Sequence, residues 1–159
     1  MSVHPAISSL VAYGTEAEQI LLPMLSVAVG EPLTKTGGKM DTMDFEGRTV
    51  VGELKKRSSD WSYKNKKIYD EGWLIPSCKI IKGWEQIAAG KRVVFFYFWM
   101  EDKSLWMWEM EEDDFTDGGH FIPKNHYDQM LHVAVHQSSW EFVGFVENKF
   151  QEEECWISD

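Results

Sequence analysis

Nowhere in the 159 residues is there an unbroken apolar run of eighteen, so the chain offers no segment expected to cross a membrane as a helix. Cysteine is scarce. Cys78 and Cys155 are too few for a disulfide framework, and free thiols in an intracellular, cytoplasmic setting are expected. The opening MSVHPAISSL lacks a basic cluster ahead of an apolar stretch, so no signal peptide is expected. Internal repeats, linkers and low-complexity segments are also lacking, which makes one domain over residues 1–159 the expectation. Positive charge is in short supply: 16 Lys and Arg face 26 Asp and Glu, a net charge of −10. That disfavours tight non-specific binding to nucleic acid, which scales with the phosphates neutralised.

Aromatic residues, by contrast, are plentiful. Eight Trp and nine Phe in a chain that is 43% hydrophobic supply large surfaces for a packed core and argue against disorder. The charge is also unevenly placed. Residues 34–92 hold 13 Lys and Arg against 8 Asp and Glu, while the remainder holds 3 against 18. A basic segment therefore sits inside an acidic protein, and a local basic face can still engage phosphates.

Residues 14–29 read as a helix. Acids occupy its first turn, Ile20, Leu21, Met24, Leu25 and Ala28 share a face, and Gly30 stops it. Pro23 is expected to kink or shorten it. Residues 39–44 and 48–56 read as two strands, 57–71 as a polar loop or short helix, and GWLIPSCKII as a strand broken by Pro76. KGWEQIAA reads as a short helix ending at Gly90. KRVVFFYFWM, apolar on both faces, reads as a central strand, followed by a turn at 101–104 and the returning strand LWMWEM. NHYDQMLHVAVHQ reads as a helix and WEFVGFVE as a last strand. The order implies an α+β fold with a central mixed β-sheet flanked by helices.

The stretch GGKMDTMDFEGRTVVGELKKR concentrates the charges that carry chemistry. Glu53 and Lys55 are two apart on a strand and share a face. A three-residue loop, Phe45-Glu46-Gly47, would set Asp44 opposite Arg48 and Asp41 opposite Val51, placing Asp41 on the face of Glu53 and Lys55 and Asp44 on the other. Two adjacent carboxylates repel unless a proton or a cation lies between them. Oxygen donors without Cys or His select a hard cation, Mg²⁺ or Mn²⁺, one of whose waters can become a nucleophile. In this reading Asp41, Glu53 and the Leu54 main-chain carbonyl are the ligands, and Lys55 orients or deprotonates the water.

A helix, G-x-x-D, a hairpin and E-x-K on a strand resemble the PD-(D/E)xK nuclease superfamily. GKMDTMD followed by ELK looks most like its RecB-type and phage exonuclease variants. Met40 stands where the family name has proline. Gly14-x-x-Ala17-Glu18 is similar to the family's G-x-x-(A/G)-E, making Glu18 a further candidate ligand, with Glu16 its competitor. The resemblance covers roughly residues 10–110 and implies a restriction-endonuclease-like αβββαβ core. It also implies a Mg²⁺- or Mn²⁺-dependent deoxyribonuclease, with DNA as partner and a homodimer as a frequent assembly. The size would suit a phage-encoded enzyme.

The segment after the hairpin mixes Lys55, Lys56, Arg57, Lys64, Lys66 and Lys67 with Trp61 and Tyr63, a pattern that holds phosphates and stacks bases. Lys79, in an otherwise apolar stretch, must snorkel or pair, and is a candidate partner for the carboxylates and for phosphate. His120, His126, His132 and His136 have no cysteine nearby and are read as scattered residues, not as a zinc site. A second reading keeps the fold and drops the chemistry: a catalytically silent protein whose acidic surface docks a basic partner or mimics DNA.

Overall fold

A computed structural model describes residues 18–36, 43–57, 72–100, 102–114, 121–125 and 131–146, with the backbone alone for 121–125, 131 and 132. Helix α1 runs over residues 18–29. Leu21, Leu25 and Val29, spaced by four, form its buried stripe. It continues through Pro23 and ends where Gly30, at φ 84°, donates to the Ser26 carbonyl at 3.0 Å. Ser26 Oγ then accepts from the Leu33 amide at 3.0 Å and ties the chain's exit to the helix.

Three strands follow as an antiparallel meander: β1 (Thr34–Lys35), β2 (Phe45–Glu46) and β3 (Val50–Arg57). Strand β4 (Trp73–Pro76) leads directly into helix α2 (Ser77–Ala88), and β5 (Arg92–Trp99) returns parallel to β3. β6 (Ser104–Met110) and, later, β9 (Glu141–Phe145) add antiparallel strands. The main sheet has the order β1-β2-β3-β5-β6-β9, so it is mixed, with β3–β5 its single parallel pair among the described residues. A second, antiparallel sheet has the order β4-β8-β7, from β7 (Phe121–Asn125) and β8 (Leu131–Val135).

Strand β5 shows why the main sheet is central. Seven of its eight residues are buried, alternately towards its two faces. Val94, Phe96 and Phe98 pack with Leu54 and Leu105 against Leu21, Leu25 and Val29 of α1. Val93, Phe95, Tyr97 and Trp99 face Ile80 of α2 and Trp73, Ile75, Val133 and Val135 of the second sheet. Each such side chain contributes about 1.5–3 kcal/mol by leaving water. Trp73 anchors the second sheet, its ring centroid 5.2–5.5 Å from those of Tyr97, Trp99, Trp106 and Trp140. No helix among the described residues is long and apolar enough to cross a membrane.

The α+β reading, the central strand at 92–99, its return at 104–110 and the last strand at 141–145 agree with expectation. Three local readings are corrected. Residues 43–44 precede β2 instead of ending a strand over 39–44. The CKII residues form the first turn of α2, because Pro76 takes the N-cap and Ser77 starts the helix. The segment read as a helix over 125–137 contains strand β8, whose Val133 and Val135 fill the core beside Trp73. Tertiary packing thus overrides a local pattern compatible with either period. The second sheet has no counterpart in the sequence reading, since its strands come from segments nearly fifty residues apart.

Candidate active site at the β2–β3 hairpin

The hairpin closes differently from the expected three-residue loop. Phe45 pairs with Gly52 and Glu46 with Val51, and the Gly47 amide donates to the Val50 carbonyl at 2.7 Å. Gly47 and Val50 thus continue the pairing, and the turn residues are Arg48 and Thr49. Glu31 fixes them from outside the hairpin: its carboxylate accepts from the Thr49 amide at 2.8 Å and from the Thr49 hydroxyl at 2.6 Å. A change of register changes which acids meet. Continuing the ladder one residue brings Asp44 alongside Glu53, where the three-residue loop would have set it opposite Arg48 on the other face.

The two carboxylates are cross-bonded. The Asp44 main-chain N–H donates to Glu53 Oε1 at 3.2 Å, and the Leu54 N–H donates to Asp44 Oδ2 at 2.9 Å. In an extended strand a residue's N–H and C=O point to the same edge. The Leu54 carbonyl is therefore directed to the edge where Asp44 lies, whereas the Arg57 carbonyl, of opposite parity, accepts from Met100. Glu53, largely buried, has its pKa pushed up to about 8, first by burial and next by the charge of Asp44. Asp44 is also raised, chiefly by burial and then, against the Leu54 amide, by the charge of Glu18.

Four lysines lie around the hairpin, two on the side of the Asp44–Glu53 pair and two on the other. Lys79 reaches across from the first turn of α2 to within 3.4 Å of Glu53 Oε1, both side chains being 13% exposed. On the opposite face of the sheet Glu18, at the start of the described part of α1, meets Lys35 at 3.0 Å and Lys56 at 3.5 Å. Lys55 shares the Glu53 face of β3, as strand alternation requires, and pairs in register with Tyr97. Arg57, two residues on, is pinned to the core: its Nε donates to Tyr97 Oη at 2.8 Å and its guanidinium lies 5.4 Å from that ring's centroid.

Of the residues singled out in the sequence, Glu53, Lys55 and Lys79 gather on one side of the hairpin, beside the Leu54 main chain. Glu18 and Lys56 pair on the other. Asp41, Trp61, Tyr63, Lys64, Lys66, Lys67, His120 and His126 lie outside the described residues. Among the described residues no three His, Cys, Asp or Glu side chains cluster as a metal-holding group. The oxygen set at the hairpin is two carboxylates and a main-chain carbonyl. Its chemistry suits a hard dication, because two desolvated acids, with the charge of Asp44 further raising the pKa of Glu53, are relieved by positive charge placed between them. Asp44 is the residue the sequence reading misplaced. Its nine-residue spacing from Glu53 fits a two-residue turn at Arg48–Thr49, but the Glu31 clamp that selects this turn is a tertiary contact without a local signal.

No protein-family model, no curated protein and no solved structure matches this chain.

Proposed function

We propose that this protein is a metal-dependent nuclease that hydrolyses phosphodiester bonds in DNA, with Asp44 and Glu53 as its paired carboxylates. The observation that carries this reading is the cross-bonded Asp44–Glu53 pair with Lys79 at 3.4 Å and Lys55 on the same strand face. The element order supports it. A helix, three meandering strands, a helix and a strand parallel to the third follow the order implied by the PD-(D/E)xK resemblance, although β4 intervenes before α2.

Asp44, Glu53 and the Leu54 carbonyl would hold Mg²⁺ or Mn²⁺. When bound, the ion supplies Lewis acidity to a phosphate oxygen and lowers the pKa of a water. The protein's own side chains do the rest. Lys55 orients the attacking water towards phosphorus. Lys79 leaves Glu53 to meet the negative charge that grows on the phosphate oxygens. Asp44 takes the place of the expected Asp41 because its register brings it to Glu53. Glu18, held by Lys35 and Lys56, acts through the charge it places near Asp44. Cutting both strands of a duplex would take two such sites and hence a homodimer.

The test is cleavage of supercoiled plasmid and labelled oligonucleotides with Mn²⁺, with EDTA as control. Metal-dependent cutting by the wild type, abolished in Glu53→Gln, supports the reading. Absence of metal-dependent cutting of any DNA overturns it.

One observation favours a second reading. The described charges at the hairpin compensate one another, Glu18 with Lys35 and Lys56, and Glu53 with Lys79. Such a network also suits a silent binding protein on the same fold, presenting its acidic surface to a basic partner. That protein would cut nothing with Mn²⁺ and would retain a basic partner after Glu53→Gln.

A further inference from the structure

Beside the carboxylates lies a cavity of about 310 Å³, lined by Thr36, Met43, Phe45, Glu46, Val51, Lys82 and Gln86. Its place relative to the hairpin acids follows from three separate elements. Val51 is two residues before Glu53 on the same face of β3, roughly 7 Å away along the strand. Met43 immediately precedes Asp44. On α2, Lys82 and Gln86 continue the stripe begun by Lys79, at spacings of three and four, so they share its face. The cavity and the acid pair are therefore adjoining parts of one groove between the hairpin and α2.

The size and lining narrow what the cavity can take. A void of roughly 150 Å³ holds a benzene ring, so this one is large enough for a nucleobase with part of its sugar. Its walls are mixed. Met43 and Val51, buried apolar residues on the α2 side of the sheet, supply its apolar wall, while the Phe45 side chain packs on the α1 side. Glu46, Gln86 and Lys82 bring an acceptor, an amide and a cation to the rim, groups that pair with base edges. A base inside a duplex is stacked and paired, and cannot enter a recess of this kind without leaving the helix. An unpaired base enters without that cost.

We infer that the cavity receives one unpaired nucleoside next to the phosphate held at Asp44 and Glu53, which makes single-stranded DNA, or a frayed end, the substrate class. The inference rests on the phosphodiesterase reading, and its test separates the two. Three measurements are made on the wild type and on Gln86→Trp, which fills the cavity from the helix side. They are cleavage of a single-stranded oligonucleotide, hydrolysis of bis(4-nitrophenyl) phosphate, which has no base, and binding of deoxyadenosine 5′-monophosphate with Ca²⁺ by calorimetry. The expected result is at least a tenfold loss of oligonucleotide cleavage and nucleotide binding in Gln86→Trp, with hydrolysis of the small diester unchanged. Lys82→Ala, at a partly exposed position, repeats the comparison without adding bulk and is expected to weaken nucleotide binding several-fold.

If the wild type shows no saturable nucleotide binding, or if Gln86→Trp cuts oligonucleotides as the wild type does, the cavity inference is overturned while small-diester hydrolysis still tests the nuclease. If the nucleotide binds in the wild type and not in Gln86→Trp, yet neither diester is hydrolysed, the cavity stands as a nucleotide site and the nuclease reading falls.

Discussion

Asp44 and Glu53 are bound through each other's surroundings: the Asp44 amide donates to Glu53 Oε1 at 3.2 Å, while Asp44 Oδ2 accepts the amide next to Glu53, that of Leu54, at 2.9 Å. Such bonds hold two carboxylates side by side despite their mutual repulsion. The arrangement is costly in the metal-free protein and is relieved by positive charge, whether a proton, the Lys79 ammonium or a dication.

Stability should therefore fall as pH rises. Glu53 ionises near its ordinary 4.5 in the unfolded chain and near 8 in the folded one, because of burial and the charge of Asp44. Between those values the folded state binds the extra proton, so raising the pH through the window destabilises it, and the effect levels off above about 8. Asp44, also raised, adds a slope of the same sign. With about 1.4 kcal/mol lost for each pH unit crossed in that window, the whole effect is on the order of several kcal/mol. Glu53→Gln, whose side-chain oxygen still accepts the Asp44 amide, should flatten the profile. Urea unfolding in EDTA across pH 5 to 9 checks this, and parallel profiles for wild type and variant would refute it.

On the proposed nuclease reading Asp44, not Asp41, is the acidic partner of Glu53. Asp44→Asn keeps an oxygen for the Leu54 amide but removes a charge, so the metal-free variant should be at least as stable as the wild type at pH 8. It should also lack the rise in melting temperature expected of the wild type with Mn²⁺, and lose the proposed cleavage by a factor of about 100 or more, as expected when a group that stabilises developing charge is removed. Asp41→Asn should retain both. A thermal melt with and without Mn²⁺, alongside the plasmid assay, distinguishes the two aspartates.

How far the sequence displays this site depends on the range of the contacts involved. Alternation along β3 puts Glu53 and Lys55 on one face without any knowledge of the fold, and the apolar run at 92–99 announces the central strand. The register of the hairpin does not show itself, because Glu31, eighteen residues away, clamps Thr49 and selects the turn. Lys79 stands out as a cation in an apolar stretch. Its approach to Glu53 becomes definite only with Pro76 as the cap of α2 and not a break in a strand. The β4-β8-β7 sheet joins distant segments whose short apolar runs fit strand and helix equally well.

Gly72 is a test of that second sheet. Its φ of 133° is one that L-residues rarely adopt, and a Cβ there would come within 2.0 Å of the Val135 carbonyl oxygen. Val135 is the register partner of Trp73, so the backbone cannot yield without moving the indole that anchors the sheet to β5. Gly72→Ala should destabilise by about 3 kcal/mol or more, from strained backbone together with a clash against main chain. For a chain of this size that is a fall in melting temperature of roughly 10 °C. Gly90→Ala, where φ is 90° but a Cβ meets nothing within 4 Å, separates the two contributions and should cost only about 1 kcal/mol.

On the proposed nuclease reading two lysines are candidates for the catalytic cation, and their different positions give different expected behaviour. Lys79 lies 3.4 Å from Glu53, both side chains nearly buried. Its charge helps the fold most when Glu53 is ionised. Lys79→Met should therefore be close to neutral at pH 6, where Glu53 holds its proton, and should destabilise by about 1–3 kcal/mol at pH 9, where a buried carboxylate loses its counter-ion. Lys55 stands two residues along β3 and should add little to that pH dependence. Both substitutions should lower cleavage, but by different routes. Losing a group that orients the attacking water lowers kcat, and raising the reaction pH partly offsets it by supplying hydroxide. Losing a group that meets charge on the phosphate lowers kcat/KM at every pH. The expected outcome is that Lys55→Met regains activity as the pH is raised from 7 to 9 and Lys79→Met does not. Identical pH–rate profiles for the two variants would show that the lysines do not divide the work in this way.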